Sequence, residues 1–225
     1  MNSAIIVAAG SGTRFGSATP KQFLELSGKP LIIHTLERFQ SCDAIHEIVL
    51  VLSPSEIEGF AETVSAFGIG KVRSIVPGGA TRAGSVKCGF DVIDPATEIV
   101  AVHDGARPLV TPDEISRTVA MAADVGAACL VAPVADTIKE VDGGVITRTI
   151  DRSRLRRALT PQAFRYDILK RALNENDLDE NATDECYLVE KLGIRIAVVD
   201  GSPRNIKITT PDDLLLAEAL MRTDV

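Results

Sequence analysis

Short apolar runs alternate with longer amphipathic stretches along the whole chain, and no other feature constrains its fold as strongly. The runs are "SAIIVAA" (Ser3 to Ala9), "EIVLVL" (Glu47 to Leu52), "KVRSIV" (Lys71 to Val76), "EIVAVH" (Glu98 to His103), "GAACLVAPV" (Gly126 to Val134) and "IRIAVVD" (Ile194 to Asp200). Several are apolar at successive positions, the pattern of a strand covered on both faces. Helix starts fall between them. Ser53 to Glu56 and Thr111 to Glu114 read as capping boxes with proline in the first turn, and Thr210 to Asp213 nearly repeats the device. Gly193 follows "YLVEKL" as a C-cap. This pattern predicts an α/β fold, a Rossmann-like open, mostly parallel sheet with helices on both faces. With 225 residues and no linker or low-complexity tract, one domain over 1–225 is expected.

One segment breaks the rhythm. From Asp136 to Leu155, polar and apolar residues alternate around "VDGG", which predicts a β-hairpin turning at Asp142-Gly143. A hairpin inserted there would protrude as an arm, either as an edge decoration or as a dock for a second subunit.

Charge and cysteine content narrow the partners. The net charge of -7 argues against a nucleic-acid surface, while local positive charge still allows anionic small substrates. Cys42, Cys88, Cys129 and Cys186 form no CxxC pair, so packing roles and a reducing, cytoplasmic setting are expected. The opening run "AIIVAA" lacks a basic lead and is too short for a signal core, and no stretch is long enough to predict a membrane span.

The loop after the first run, "AAGSGTRFGSATPKQ" from Ala8, combines three glycines with Arg14 and Lys21. Gly10, Gly12 and Gly16 give G-x-G-x-x-x-G, which is not the dinucleotide fingerprint, and no Gly-Lys-Ser/Thr is present for a P-loop. Its physics still suits phosphate: glycines admit close approach of backbone N–H groups, arginine grips oxygens in pairs, and lysine adds a compact charge. The loop also follows a strand at its carboxyl end, where open α/β sheets bind ligands.

Further pieces follow. "VHDGARP" ends a strand with Asp104, a carboxylate suited to Mg²⁺ beside phosphate oxygens, while His103 reads as a packed strand-end residue. "PGGATRAGSV" places Gly79 for close backbone approach to a base, with Ser85 on the helix that follows. "DRSRLRRALTPQAF" carries Arg152, Arg154, Arg156 and Arg157 next to the predicted arm, and "NIKITTPDD" adds Lys207. Taken singly, each of these basic groups also reads as a solvated surface charge.

In this order, "AAGSGTRFG", "PKQF", "GGATR…S", "VHDGARP", "DTIK", "DR…LTPQAF", "TDE" and "NIKIT" resemble the 2-C-methyl-D-erythritol 4-phosphate cytidylyltransferases, within the nucleotidyltransferase superfamily. The resemblance implies a Mg²⁺-dependent enzyme that transfers CMP from CTP to methylerythritol phosphate. It implies that Ala8, Ala9, Gly10, Ser11 and Gly12, with Arg14 and Lys21, bind the CTP phosphates, and that Gly79 and Ser85 read cytosine. Asp104 would hold the metal. Arg107, Thr137, Arg152, Thr160 and Lys207 would bind the acceptor phosphate, with Thr137 and Arg152 coming from a neighbouring subunit's arm in a homodimer. Arg156 and Leu159 depart from residues common in the family beside the acceptor-binding stretch. The rival readings are a ribitol-5-phosphate cytidylyltransferase, a uridylyl- or guanylyltransferase, and a non-catalytic nucleotide-binding module.

Overall fold

The computed structural model describes residues 1–10 and 21–222, with Lys21 described by its backbone alone. Its centre is a seven-stranded sheet. In chain order the strands are β1 (Asn2–Ala8), a small pair β2 (Glu25–Leu26) and β3 (Lys29–Pro30), β4 (Glu47–Leu52), β5 (Val72–Pro77), β6 (Ile99–Asp104), β7 (Ala127–Pro133), the hairpin strands β8 (Ile138–Asp142) and β9 (Val145–Ile150), β10 (Arg156–Arg165) and β11 (Ala197–Asp200). The sheet order is β11-β7-β10-β6-β1-β4-β5, and only β10 runs antiparallel to its neighbours.

The helices are α1 (Leu31–Gln40), α2 (Ile57–Ala66), α3 (Arg82–Phe90), α4 (Pro112–Val125), α5 (Tyr166–Glu175), α6 (Glu185–Lys191) and α7 (Pro211–Arg222). The alternation of side chains along β1 divides the core. Ala4, Ile6 and Ala8 join one cluster with residues of α1, α2 and α4, while Ile5 joins the other with α3, α5 and α6. Both faces are covered, which accounts for the continuous apolar runs. The edge strand β5 is only half-buried, matching the more polar "KVRSIV".

Local signals fare unevenly. Thr111 and Glu114 form the full capping box. At α7, the Asp213 carboxylate accepts from the N–H groups of Thr209 and Thr210, both at 2.8 Å. Gly193 turns the chain after α6 with φ of 71°. The expected box at Ser53 does not form: Pro54–Glu56 is a 3₁₀ turn, and the Ser53 hydroxyl pairs with Ser55 instead.

The hairpin is present, one residue off the expected turn. Gly143 and Gly144 occupy it, both with positive φ (55° and 81°), as a tight turn between twisted strands requires. Among the described residues, its strands pair only with each other.

Strand β10 is the element the sequence concealed. It lies between β6 and β7 although it contains Pro161 and opens on a basic run. Between Ala158 and Gln162 the chain takes four steps against two on β7, so Pro161 sits in a bulge and no ladder N–H is lost.

Candidate active site

The carboxyl ends of β1, β5 and β6 meet at one edge of the sheet. Ala8 is buried at the end of β1, with Ala9 and Gly10 leading away from it. Gln22, also buried, donates through Nε2 to the carbonyls of Ala8 (2.7 Å) and Gly10 (3.3 Å), clasping the start of the opening loop. Ser11, Gly12 and Arg14 lie outside the described residues, as does the Lys21 side chain.

The β5–α3 turn closes over the same edge. A Cβ on Gly78 would stand 2.3 Å from the Ala9 Cβ and 2.9 Å from the Ser85 hydroxyl, so only glycine lets the two loops touch. Ser85 is buried, accepts from the Gly79 N–H (3.1 Å) and donates to the Thr81 carbonyl (2.9 Å). Its hydroxyl shapes the Gly78–Thr81 turn from within.

Asp104, at the end of β6, gathers three cations. Its Oδ1 accepts from Arg82 Nε at 3.2 Å, while its Oδ2 lies 3.2 Å from Arg107 Nε and 3.0 Å from Lys207 Nζ. Burial alone would raise this carboxyl, but the charges of Arg82, Lys207 and Arg107 outweigh it and hold Asp104 far below the usual carboxylate range. Apolar packing brings Lys207 there. Ile208 is fully buried with Ala106 and Leu109, and its N–H donates to the Ala106 carbonyl (2.9 Å). Arg107 is aimed by a second bond, from Nη1 to the Asn205 carbonyl (2.9 Å).

Behind Asp104, the Thr160 hydroxyl accepts its N–H (3.1 Å) and pairs with His103 Nδ1 (3.0 Å). The Arg107 carbonyl can only accept, so His103 carries its proton on Nε2 and Nδ1 accepts from Thr160. Thr160 is 3% exposed, and its hydroxyl proton is directed at His103. His103 is the packed residue anticipated. Its ring lies 4.9 Å from Phe39, and burial, opposed by Asp104, lowers its pKa to about 3.

Sequence reasoning assigned no role to Arg82, Gln22 or Glu185. Arg82 Nη1 donates to Glu185 Oε1 at 2.6 Å, and Glu185 is fully buried on α6. Burial pushes the Glu185 carboxyl up against the pull of Arg82. All three lay in quoted motifs, but nothing local distinguished them from solvated polar residues.

Thr137 and Arg152 are both exposed, and Arg152 bonds the Ala135 carbonyl. Among the described residues, no hydrogen bond or ion pair joins either to the Asp104 cluster. Leu159 is buried in the main core, and Arg156 is exposed, bonding the carbonyls of Ser153 and Leu155. No group of three or more His, Cys, Asp or Glu side chains that would hold a metal occurs among the described residues. None of their helices is long and apolar enough to cross a membrane, and all four cysteines are free.

Known proteins agree with this architecture. The family model described as IspD, 2-C-methyl-D-erythritol 4-phosphate cytidylyltransferase, matches residues 2–223. A curated protein of that name from Pelotomaculum thermopropionicum is 46% identical over 222 residues, covering 97% of this chain and 93% of the relative. One from Bacillus velezensis is 44% identical, covering 98% and 95%. The crystal structure of 4-diphosphocytidyl-2C-methyl-D-erythritol synthase from Anaerococcus prevotii superposes with a TM-score of 0.86 at 27% identity, covering 99% of this chain and 96% of that one. A cation-ringed carboxylate at the sheet's carboxyl edge, on this fold and with this likeness over nearly the full length, places the chain in the 2-C-methyl-D-erythritol 4-phosphate cytidylyltransferase family.

Proposed function

We propose that this protein transfers CMP from CTP to 2-C-methyl-D-erythritol 4-phosphate and releases pyrophosphate. The observation that carries the reading is the Asp104 cluster, three cations on one buried carboxylate at the carboxyl edge of the sheet, where the Gly78 turn also packs against Ala9.

An acceptor phosphate oxygen bonds to the α-phosphorus of CTP, and the bond from that phosphorus to the bridging oxygen of pyrophosphate breaks. The acceptor oxygen is already anionic, so no general base is needed. The barrier is the meeting of two anions, which positioned charge lowers. Arg14 and Lys21 would stabilise the leaving group, with Ala8 to Gly12 around the phosphates. Gly79 would meet the base through its backbone, with Ser85 holding that turn in shape. Arg107 and Lys207 would face the acceptor phosphate, and Thr160 would keep the Asp104 main chain in place behind them.

By itself the cluster is an anion site. Mg²⁺ fits it only together with a triphosphate, since the ion takes one or two carboxylates plus phosphate oxygens, and Asp104 is the carboxylate at hand. When bound there it would neutralise and orient phosphate oxygens.

Thr137 and Arg152 would serve a neighbouring subunit's site, with the hairpin as the docking arm of a homodimer. The exposure of Val141, Val145 and Ile146 on that hairpin, at 57%, 67% and 60%, supports this reading. Four free cysteines suit work in the cytoplasm.

The deciding experiment is pyrophosphate release from CTP and Mg²⁺ with methylerythritol phosphate or ribitol 5-phosphate as acceptor. Release with the first alone is expected, because Leu159 is buried in the core and its departure from the family is one of packing. Release only with ribitol phosphate would overturn the acceptor, and silence with both would favour a non-catalytic module.

A further inference from the structure

Glu185 is buried and only half used. Its Oε1 accepts from Arg82, while its Oε2 has no hydrogen-bond partner among the described residues. Packing does not ask for such a residue: a buried ion pair is often replaceable by apolar side chains without loss of stability. The way it is held points elsewhere. Gln162 Oε1 accepts from the N–H groups of Glu185 (3.1 Å) and Cys186 (3.0 Å), and Gln162 Nε2 donates to Asp184 (2.8 Å), the residue that caps α6. Gln162 stands two positions beyond Thr160 on β10. One strand thus holds Asp104 twice, its main chain through Thr160, and its carboxylate through Gln162, Glu185 and Arg82. The guanidinium is planar, so fixing Nη1 on Glu185 fixes the direction of Nε and Nη2, which meet Asp104 Oδ1 at 3.2 and 3.1 Å.

We propose that Glu185 is a positioning residue for the cytidylyl transfer: from inside the core it anchors Arg82 and so holds the Asp104 carboxylate where Lys207 and Arg107 share its other oxygen. The proposal rests on the function argued above. It also gives Glu185 an electrostatic part. With Glu185 ionised against Arg82, three cations and two carboxylates leave the cluster with net charge +1, counting Arg82, Arg107 and Lys207 against Asp104 and Glu185. With Glu185 neutral, Arg82 is free to follow anionic oxygens, and the site grips pyrophosphate harder while holding Asp104 less well.

The test uses Glu185→Gln, Arg82→Met and the double variant, each checked for folding by thermal melting. In Glu185→Gln, kcat should fall about tenfold or more, as small misplacements of reacting groups do, with KM for CTP little changed. Pyrophosphate, titrated calorimetrically, should bind about threefold tighter or better at low salt, the effect of one added net charge. The fall in kcat should vanish when Arg82 is already Met, because Glu185 reaches Asp104 through Arg82. A purely structural role would lower the melting temperature but leave the kcat of the folded enzyme unchanged. In an active enzyme, a Glu185→Gln kcat within about threefold of wild type overturns the proposal, as does an equal fall in the Arg82→Met background. Should Glu185→Gln not fold, Arg82→Met/Glu185→Leu removes both charges, and a kcat well below that of Arg82→Met alone overturns it. If the wild-type enzyme itself releases no pyrophosphate, the functional reading fails, and unchanged pyrophosphate affinity in Glu185→Gln then overturns the role of Glu185 separately.

Discussion

Lys207 Nζ lies 3.0 Å from Asp104 Oδ2, an ion pair between the segment after the last strand and the end of β6. Lysine and carboxylate meet because Ile208 is buried against the turn that follows Asp104, so an apolar anchor places a charge. Removing the charge while keeping the anchor separates chemistry from folding. Lys207→Ala should lower turnover about 10²-fold or more, as loss of a preorganised charge does. Its side chain is 35% exposed, so stability should change by less than about 1 kcal/mol. Pyrophosphate release and thermal melting read the two arms, and near-normal turnover would remove Lys207 from the proposed mechanism.

The central strands were legible and this pairing was not. "AIIVAA", "EIVLVL" and "EIVAVH" are buried on both faces, and burial writes itself into composition. Strand β10 was hidden because Pro161 and the arginine run look like loop chemistry, and the bulge that absorbs the proline is a tertiary feature. Asp104, Arg107 and Lys207 stood out as charges next to strands, but their convergence depends on a chain crossing that no local pattern encodes. Glu185 and Gln22 could not be found at all, since their roles exist only once α6 has packed against the sheet and Gln22 has reached the end of β1.

Gly78 makes the contact between the two nucleotide-side loops possible. In Gly78→Ala the new methyl meets Ala9 Cβ at 2.3 Å, and neither position has a flexible side chain to yield. The loops must part, at a cost of about 1–3 kcal/mol typical of overpacking. The expected result is a KM for CTP raised about tenfold, with a smaller effect on the acceptor. An unchanged KM for CTP would mean that this contact does not shape the nucleotide site.

His103 gives the fold a pH dependence. Its proton is bound in the unfolded chain below about pH 6.5, whereas burial keeps the folded residue neutral down to about pH 3. Between those values the unfolded state binds more protons, so stability is fully present above about pH 6.5 and is lost as pH falls. From this group alone, the loss between pH 6.5 and 5 is about 2 kcal/mol. His34, whose pKa burial also lowers, slopes the same way. Urea unfolding across pH 5 to 7.5 measures the sum. His103→Gln retains a donor for the Arg107 carbonyl, and it should flatten the curve by His103's share. An unaltered slope would locate the titrating group elsewhere.

If the arm completes a neighbour's site, two dead variants should restore each other. Arg152→Ala damages the arm and leaves the cluster intact, while Lys207→Ala does the reverse. In a mixed dimer, the cluster of the first chain faces the arm of the second, and that site is whole; the other site carries both lesions. Random reassociation makes half of the dimers mixed, each with one working site, so activity should return to about a quarter of wild type. The two variants are mixed after mild dissociation and assayed for pyrophosphate release, with dimer content followed by light scattering. Recovery requires the arm to act in trans. If the mixed dimers form and remain as inactive as their parents, Arg152 either serves its own subunit or serves no site, and the docking arm is then an assembly device without a catalytic share.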